Sequence, residues 1–297
     1  MPIHLTSRRQ FVAQLGAAMA LSKSTASAAE VDESLIAILN DTHIGAKHPD
    51  DSPVPTHLRE SVAYLVGLAK RPAAVIINGD LALNDGQPGD YSHFAQLIQP
   101  LRDAGIPVHL TLGNHDNRDE FYKVVKQGKP EETPIISKHV GVVQLAQANL
   151  FLLDSLKAPR TAQGLIGEAQ RAWLTKKLDT HSGKPALIFA HHNPRLGGEE
   201  KHFPGGLEDS DPLWEIFDSR SHVKAYIHGH IHHRNYFRHR DIHIVNTPAT
   251  SYVGDPKNST TGWTMAKLSA DGGSFTTLTH LVDHPWNGVA VDLKWRS

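Results

Sequence analysis

Short apolar runs that break off into polar clusters organise this chain. Ser34 to Leu39 (SLIAIL), Ala73 to Ile77 (AAVII), Val108 to Leu112 (VHLTL), Ala186 to Ala190 (ALIFA) and Val223 to Ile227 (VKAYI) are each bounded by polar residues. The first two are short and continuously apolar and read as buried strands; the other three read as strands. Helical spacing predicts helices over 56–70, starting just after Pro55, over 91–104, over 168–178 and, shorter, over 213–217. Val142 to Gln147 and Leu150 to Leu153 predict a pair of strands, 234–280 predicts strands and turns, and 283–297 carries no clear pattern. No internal repeat or low-complexity linker interrupts the series, so one α/β domain is the simpler reading. Each of the five strands ends in a cluster of Asp, Asn or His: Asn40-Asp41-Thr42-His43, Asn78-Gly79-Asp80, Gly113-Asn114-His115-Asp116, His191-His192 and His228-Gly229-His230-Ile231-His232. In α/β sheets the carboxyl ends of strands form the ligand crevice. Five such clusters predict convergence in space.

Composition narrows the chemistry. The 297 residues include 39% hydrophobic and 21% charged side chains, an ordinary globular balance. Thirty basic and 31 acidic residues leave a formal net charge of -1, which argues against a nucleic-acid polymer as partner. There is no cysteine and there are 21 histidines, so any metal must be held by nitrogen and oxygen. At the N-terminus, Ser7-Arg8-Arg9-Gln10-Phe11 precedes an apolar run from Phe11 to Leu21, and Ala26-Ser27-Ala28 follows. The run is too short to cross a membrane. The order of pair, run and small-x-small site resembles a Tat-type (twin-arginine) signal peptide over residues 1–28. It predicts a mature domain at 29–297 that is periplasmic or secreted and has no stable membrane anchor after cleavage.

The residue types in the clusters suit a pair of cations. Asp41 and His43 lie two apart, so an extended backbone would turn both to one face, and His230 and His232 repeat that spacing. A carboxylate such as Asp80 has two oxygens and can bridge two metals, and Asn114 offers a neutral amide oxygen. Two divalent cations would be only half neutralised by Asp41 and Asp80. The residual positive charge attracts a phosphate ester and lowers the pKa of bound water. Taken singly, each cluster has a bland alternative as a turn, a strand cap or a surface histidine pair. Taken together, each after a strand, they point to one site.

The series Asp41-Thr42-His43, Gly79-Asp80, Gly113-Asn114-His115-Asp116, His191 and Gly229-His230-Ile231-His232 resembles the calcineurin-like metallophosphoesterase superfamily over about residues 35–250. Asn78-Gly79-Asp80-Leu81 and Ala190-His191-His192-Asn193-Pro194 are similar to the class III cyclic nucleotide phosphodiesterases and bacterial glycerophosphodiesterases. The resemblance implies a four-layer α/β/β/α sandwich of two mixed sheets flanked by helices. It implies one metal on Asp41, His43, Asp80 and His232 and a second on Asp80, Asn114, His191 and His230, the ions being Fe, Mn, Zn or Co. It implies in-line attack by a hydroxide held at the metals on a small phosphate-ester substrate, with His115 as the catalytic group stabilising charge or donating a proton. The leading expectation is a phosphodiester, either a cyclic nucleotide or a glycerophosphodiester. Phosphomonoester or nucleotide-pyrophosphate hydrolysis is the alternative, and a non-catalytic scaffold, which would tend to lose ligands, is a third. Relatives of this kind are often homo-oligomers. Leu81, Ala82 and Leu83 follow Asp80 where purple acid phosphatases carry a tyrosine ligand, so a charge-transfer iron site is not expected. Of the adjacent pair, the resemblance favours His191 as ligand and leaves His192 beside the site or on the substrate. Among the flanking residues Asn84, Asn117, Arg118 and Asn193, Arg118 suits a phosphate best, and the polar stretch 197–206 could form a rim.

Overall fold

Two of the predicted strands set the plan of the molecule. In β1 (Val31–Leu39) and β2 (Arg71–Asn78), successive side chains point to opposite faces, and both faces are apolar. Ile36, Ile38, Ala74 and Ile76 face one core; Ala37, Leu39, Val75 and Ile77 face another. A strand apolar on both faces must lie in a covered sheet, and the two pair in parallel with Ile38 opposite Ile76. The computed structural model describes residues 30–125, 135, 138–196 and 205–297. The export signal expected at 1–28 lies outside the described residues, as does most of the stretch 197–206.

The remaining elements are α1 (Pro53–Val66), α2 (Pro88–Asp103), β3 (Val108–Thr111), α3 (Arg118–Val124), β4 (Gly141–Gln144), β5 (Asn149–Leu152), α4 (Glu168–Thr180), β6 (Ala186–Phe189), α5 (Ser210–Asp218), β7 (Val223–His228), β8 (Asn235–His239), β9 (Ile242–Asn246), β10 (Gly262–Leu268), β11 (Gly272–Thr279) and β12 (Val289–Lys294). They build two mixed six-stranded sheets, ordered β12-β11-β10-β1-β2-β3 and β4-β5-β6-β7-β9-β8. Strands β1, β2 and β3 run parallel, as do β5, β6, β7 and β9; the outer strands run antiparallel. Three apolar layers hold the stack. Ile36, Ile76, Leu187, Phe189, Ile227 and Val245 fill the space between the sheets. Leu58, Leu65, Phe94, Ile98 and Phe121 seat α1, α2 and α3 on the first sheet. Leu174, Leu178, Trp214 and Phe217 seat α4 and α5 on the second. Each fully buried side chain of this size contributes roughly 1.5–3 kcal/mol. The result is the four-layer α/β/β/α sandwich that the resemblance implied, and Val31–Ser297 forms one compact unit.

Differences from the sequence reading lie at element ends and in two short elements. Helix α1 starts at Pro53, with proline in its first turn, and stops before Gly67 rather than reaching Lys70. Helix α3 was not foreseen; Asn117 caps it by accepting from the Asp119 and Glu120 amides. The patternless tail contains β12, an edge strand whose mostly exposed residues carry no periodic signal. No helix among the described residues is long and apolar enough to cross a membrane.

Candidate metal centre

The carboxyl ends of β1, β2 and β3 in one sheet and of β6 and β7 in the other meet through backbone and side-chain hydrogen bonds. Asp41 N donates to Gly79 O at 3.2 Å, His43 N to Asp80 O at 2.9 Å and Gly229 N to His191 O at 3.1 Å. Across the sheets, Asn78 Nδ2 donates to Ala190 O at 3.1 Å, and the His230 amide donates to the Asp41 carboxylate at 3.1–3.2 Å. Asp41, His43, Asp80, Asn114 and His191 are buried.

The expectation that Asp41 and His43 share a face through extended backbone does not hold. Strand β1 ends at Leu39, and both residues adopt left-handed backbone, with φ of 52° and 46°. Asp80, His230 and His232 do the same at 49°, 69° and 48°. Left-handed backbone is disfavoured for residues with a Cβ and persists only where surrounding contacts impose it. Five of the seven expected ligands carry this strain. Tight left-handed loops, rather than continued strands, aim these side chains inward. Close approach adds to it: a Cβ on Gly113 would lie 2.2 Å from Asp80 Oδ1, and one on Gly79 would lie 2.5 Å from His191 Nδ1.

Three groups of side chains bring ligand atoms within 4.8 Å of one another: Asp41 with His43 and His232; His43 with Asp80 and His115; and Asp80 with His191 and His230. Asp80 is common to two of them. Asn114 stands beside them with its amide oxygen buried and without a hydrogen-bond partner among the described residues. The imidazoles are oriented from behind. His43 Nδ1 meets Leu83 O at 3.3 Å, His191 Nδ1 meets Asn78 O at 3.0 Å and His232 Nδ1 meets Tyr252 O at 2.8 Å. A carbonyl can only accept, so each Nδ1 carries a proton and each Nε2 is turned to the centre, free to ligate once it is unprotonated. His43 Nε2 and His232 Nε2 then face each other at 3.1 Å. Two lone pairs at that distance repel unless positive charge lies between or beside them, either a metal ion or a proton on His232, where burial opposes the charge but Asp41 raises the pKa. The donor set therefore fits a metal.

The electrostatics agree. Burial lowers His43 to about 4. Burial, together with the charge on His191, lowers His230 to about 3, so both imidazoles are in the neutral, ligating form. Burial opposes ionisation of Asp80, but His191 and His43 outweigh it and hold the carboxyl well below the usual range. Burial also opposes charge on His191, yet Asp80 at 3.2 Å and Asp41 at 3.9 Å raise it to about 9. Positive charge is favoured between these groups, whether from a proton or from a metal.

His115 packs edge-on against His43, with centroids 4.8 Å apart, and its amide donates to Asp80 Oδ1 at 2.8 Å. Its Nδ1 is buried with no hydrogen-bond partner among the described residues. Of the adjacent pair, His191 faces Asp80, whereas His192 turns its Nδ1 to Ser155 Oγ at 2.7 Å. Arg118 is not turned to the cluster. Its Nε and Nη2 each donate to the buried Asp154 carboxylate at 2.6 Å, and Nη2 also reaches Leu156 O. Asn117 is occupied as the cap of α3.

Two features escaped the sequence reading. Asp116 accepts from the Gly113, Leu81 and Ala82 amides and from the Tyr91 hydroxyl, tying the loop after Asp80 to the loop that carries Asn114. Its burial and the charge on Asp80 push it up to about 7. The segment after β9 also enters the site: Ser251 N donates to Asp41 O at 3.2 Å, and the Tyr252 ring lies 4.6 Å from His232. A signal was present, because Ile242 to Val245 runs into Asn246-Thr247 just as the five other strands run into their clusters.

The family model for calcineurin-like phosphoesterases matches residues 34–234. A probable cyclic nucleotide phosphodiesterase of Synechococcus sp. is 27% identical over 72% of this chain and 78% of its own. The glycerophosphodiester phosphodiesterase GpdQ of Enterobacter lignolyticus is 27% identical over 73% and 77%. A 3',5'-cyclic adenosine monophosphate phosphodiesterase of Vibrio vulnificus is 28% identical over 70% and 74%. Among solved structures, a dimetal phosphatase from Danio rerio superposes with a TM-score of 0.67 at 11% identity, covering 88% of this chain and 98% of that one. At that identity the likeness is one of fold.

Proposed function

This chain belongs to the calcineurin-like phosphoesterase family and is a metal-dependent phosphoric ester hydrolase, and from that premise we propose that it hydrolyses a small phosphodiester at two metals. Asp41, His43, Asp80 and His232 would hold one ion, and Asp80, Asn114, His191 and His230 the other, with Asp80 bridging. The observation that carries this is the pair of Nε2 atoms of His43 and His232 that face each other beside the shared Asp80. When bound, the two cations would neutralise phosphate charge and acidify water.

The residues of the chain do the rest. Carbonyls at 78, 83 and 252 hold three imidazoles in the ligating tautomer. Asp116 fixes the loops of Asp80 and Asn114 relative to each other. His115, beside His43 and Asp80 but with no partner on Nδ1, holds a proton for the leaving oxygen. The reaction balances with one water. Its oxygen bonds to phosphorus, the ester P–O bond breaks, and the departing alkoxide takes its proton through His115.

Diester rather than monoester is supported by the relatives, whose names are those of cyclic nucleotide and glycerophosphodiester phosphodiesterases. The test compares an aryl diester with an aryl monoester, with Mn added. Faster diester turnover is expected, and His115→Ala should lower it at least about 100-fold with metal content kept. Faster monoester turnover would replace the reading with a phosphomonoesterase. A protein that takes up no metal would revive the scaffold reading. The N-terminal pattern supports export to the periplasm with cleavage near Ala29, which N-terminal sequencing of the exported protein checks.

A further inference from the structure

Nine large hydrophobic side chains stand exposed among the described residues, and two of them, Tyr252 and Leu83, stand at the ligand cluster. They are 45% and 41% exposed. Each is fixed there by its own backbone: Tyr252 O receives His232 Nδ1, and Leu83 O receives His43 Nδ1. The Tyr252 ring lies 4.6 Å from His232 and 5.1 Å from His43, tilted 57° and 48° to them. The Leu83 side chain lies over Gly45, two residues beyond His43, where a Cβ would meet Leu83 Cδ2 at 2.8 Å.

Scattered exposed apolar residues need no explanation. Two held by paired ligand histidines are different, because the same hydrogen bonds that orient the metal ligands place these side chains at the mouth of the site. Neither side chain is in the core. Each keeps two-fifths or more of its surface exposed, beside a cluster of buried carboxylates and imidazoles. A phosphate seated at Asp80 carries its organic group outward to this rim. An aliphatic polyol would leave the tyrosine ring uncovered, whereas a planar base or aryl group would lie on it, as aromatic rings favour.

Resting on the phosphodiesterase reading, we infer that Tyr252, aided by Leu83, is a specificity-determining platform that selects diesters bearing a planar aromatic group over aliphatic ones. The platform is the ring, so the hydroxyl is dispensable.

The experiment uses the metal-loaded full chain, Tyr252→Ala, Tyr252→Phe and Leu83→Ala. Steady-state kinetics are measured on cyclic AMP and glycerophosphoethanolamine, and equilibrium binding of AMP by calorimetry. Tyr252→Ala is expected to raise KM for cyclic AMP and Kd for AMP by about 10- to 100-fold, and to change KM for glycerophosphoethanolamine far less. Tyr252→Phe should stay within about threefold of wild type, and Leu83→Ala should fall between the two. Equal losses on both substrates in Tyr252→Ala, or a Tyr252→Phe as impaired as Tyr252→Ala, would overturn the inference. If wild type cleaves neither diester, the phosphodiesterase reading is what fails, and the AMP titration still decides on the platform.

Discussion

Gly113→Ala isolates the geometry of the Asp80 carboxylate, the proposed bridge. Gly113 is no ligand and its backbone is not left-handed, so the substitution adds one methyl group and little backbone strain. That methyl would lie 2.2 Å from Asp80 Oδ1, 2.6 Å from Asp80 N and 2.7 Å from His191 Cδ2. Real Cβ atoms essentially never come within 3.0 Å of such neighbours, so Asp80 Oδ1 must retreat by about 0.8 Å. Asp80 cannot retreat freely, since Oδ1 accepts from the His115 amide at 2.8 Å and Oδ2 lies 3.2 Å from His191. Metal–ligand distances tolerate only about 0.2 Å, and catalytic groups about 0.5 Å. The expected result is loss of at least one metal per chain and a fall in diester turnover of about 100-fold or more. The accompanying stability loss is about 1–3 kcal/mol from overpacking. Metal content by elemental analysis, turnover with excess Mn, and thermal melting measure the three effects separately. Gly183→Ala is the control, because a Cβ there meets nothing within 4 Å. A Gly113→Ala protein that keeps two metals, melts like wild type and turns over within about threefold of it would refute the reasoning.

Three further outcomes are expected. Arg118→Ala should destabilise by about 3–5 kcal/mol, because it leaves the fully buried Asp154 carboxylate without its guanidinium. KM for the folded fraction should hold, and a raised KM with unchanged melting would instead place Arg118 on the substrate. Burial and the neighbouring His57 lower His280 to about 3, well under the usual histidine value near 6.5. The folded state therefore refuses a proton that the unfolded state accepts. Its contribution is complete above about pH 6.5 and declines by up to about 1.4 kcal/mol per unit as pH falls toward 3. Denaturant titrations from pH 7 to 4 should show a shallower acid slope in His280→Asn. Chelation should lower the melting temperature as well as activity. Free metal at a hundred times its Kd restores about 2.7 kcal/mol, and equal melting with and without metal would contradict binding at this buried site.

Burial was legible because it is written locally, as helical spacing or as a continuous apolar run. The runs at 34–39, 73–77 and 186–190 are apolar on both faces because both faces are covered. The polar clusters after them were legible for the same reason, since they mark where each strand leaves the core. What escaped was non-periodic. Helix α3 is held by a cap, β12 by edge pairing, and Tyr252 by a loop that returns to the site after β9.

By itself, then, the sequence determined that five strands end in residues of metal-ligating type, and their order was enough to identify the family. Tertiary structure decided how those residues act. It placed five of them in left-handed backbone rather than on extended strands. It turned His191 to Asp80 and His192 to Ser155, and it bound Arg118 to Asp154. It brought the carbonyls of Asn78, Leu83 and Tyr252 behind three imidazoles. The physical reason is range. Side-chain periodicity encodes which face is buried over a few residues. The direction of a lone pair depends on hydrogen bonds between loops up to 113 residues apart, which exist only once both sheets are in place.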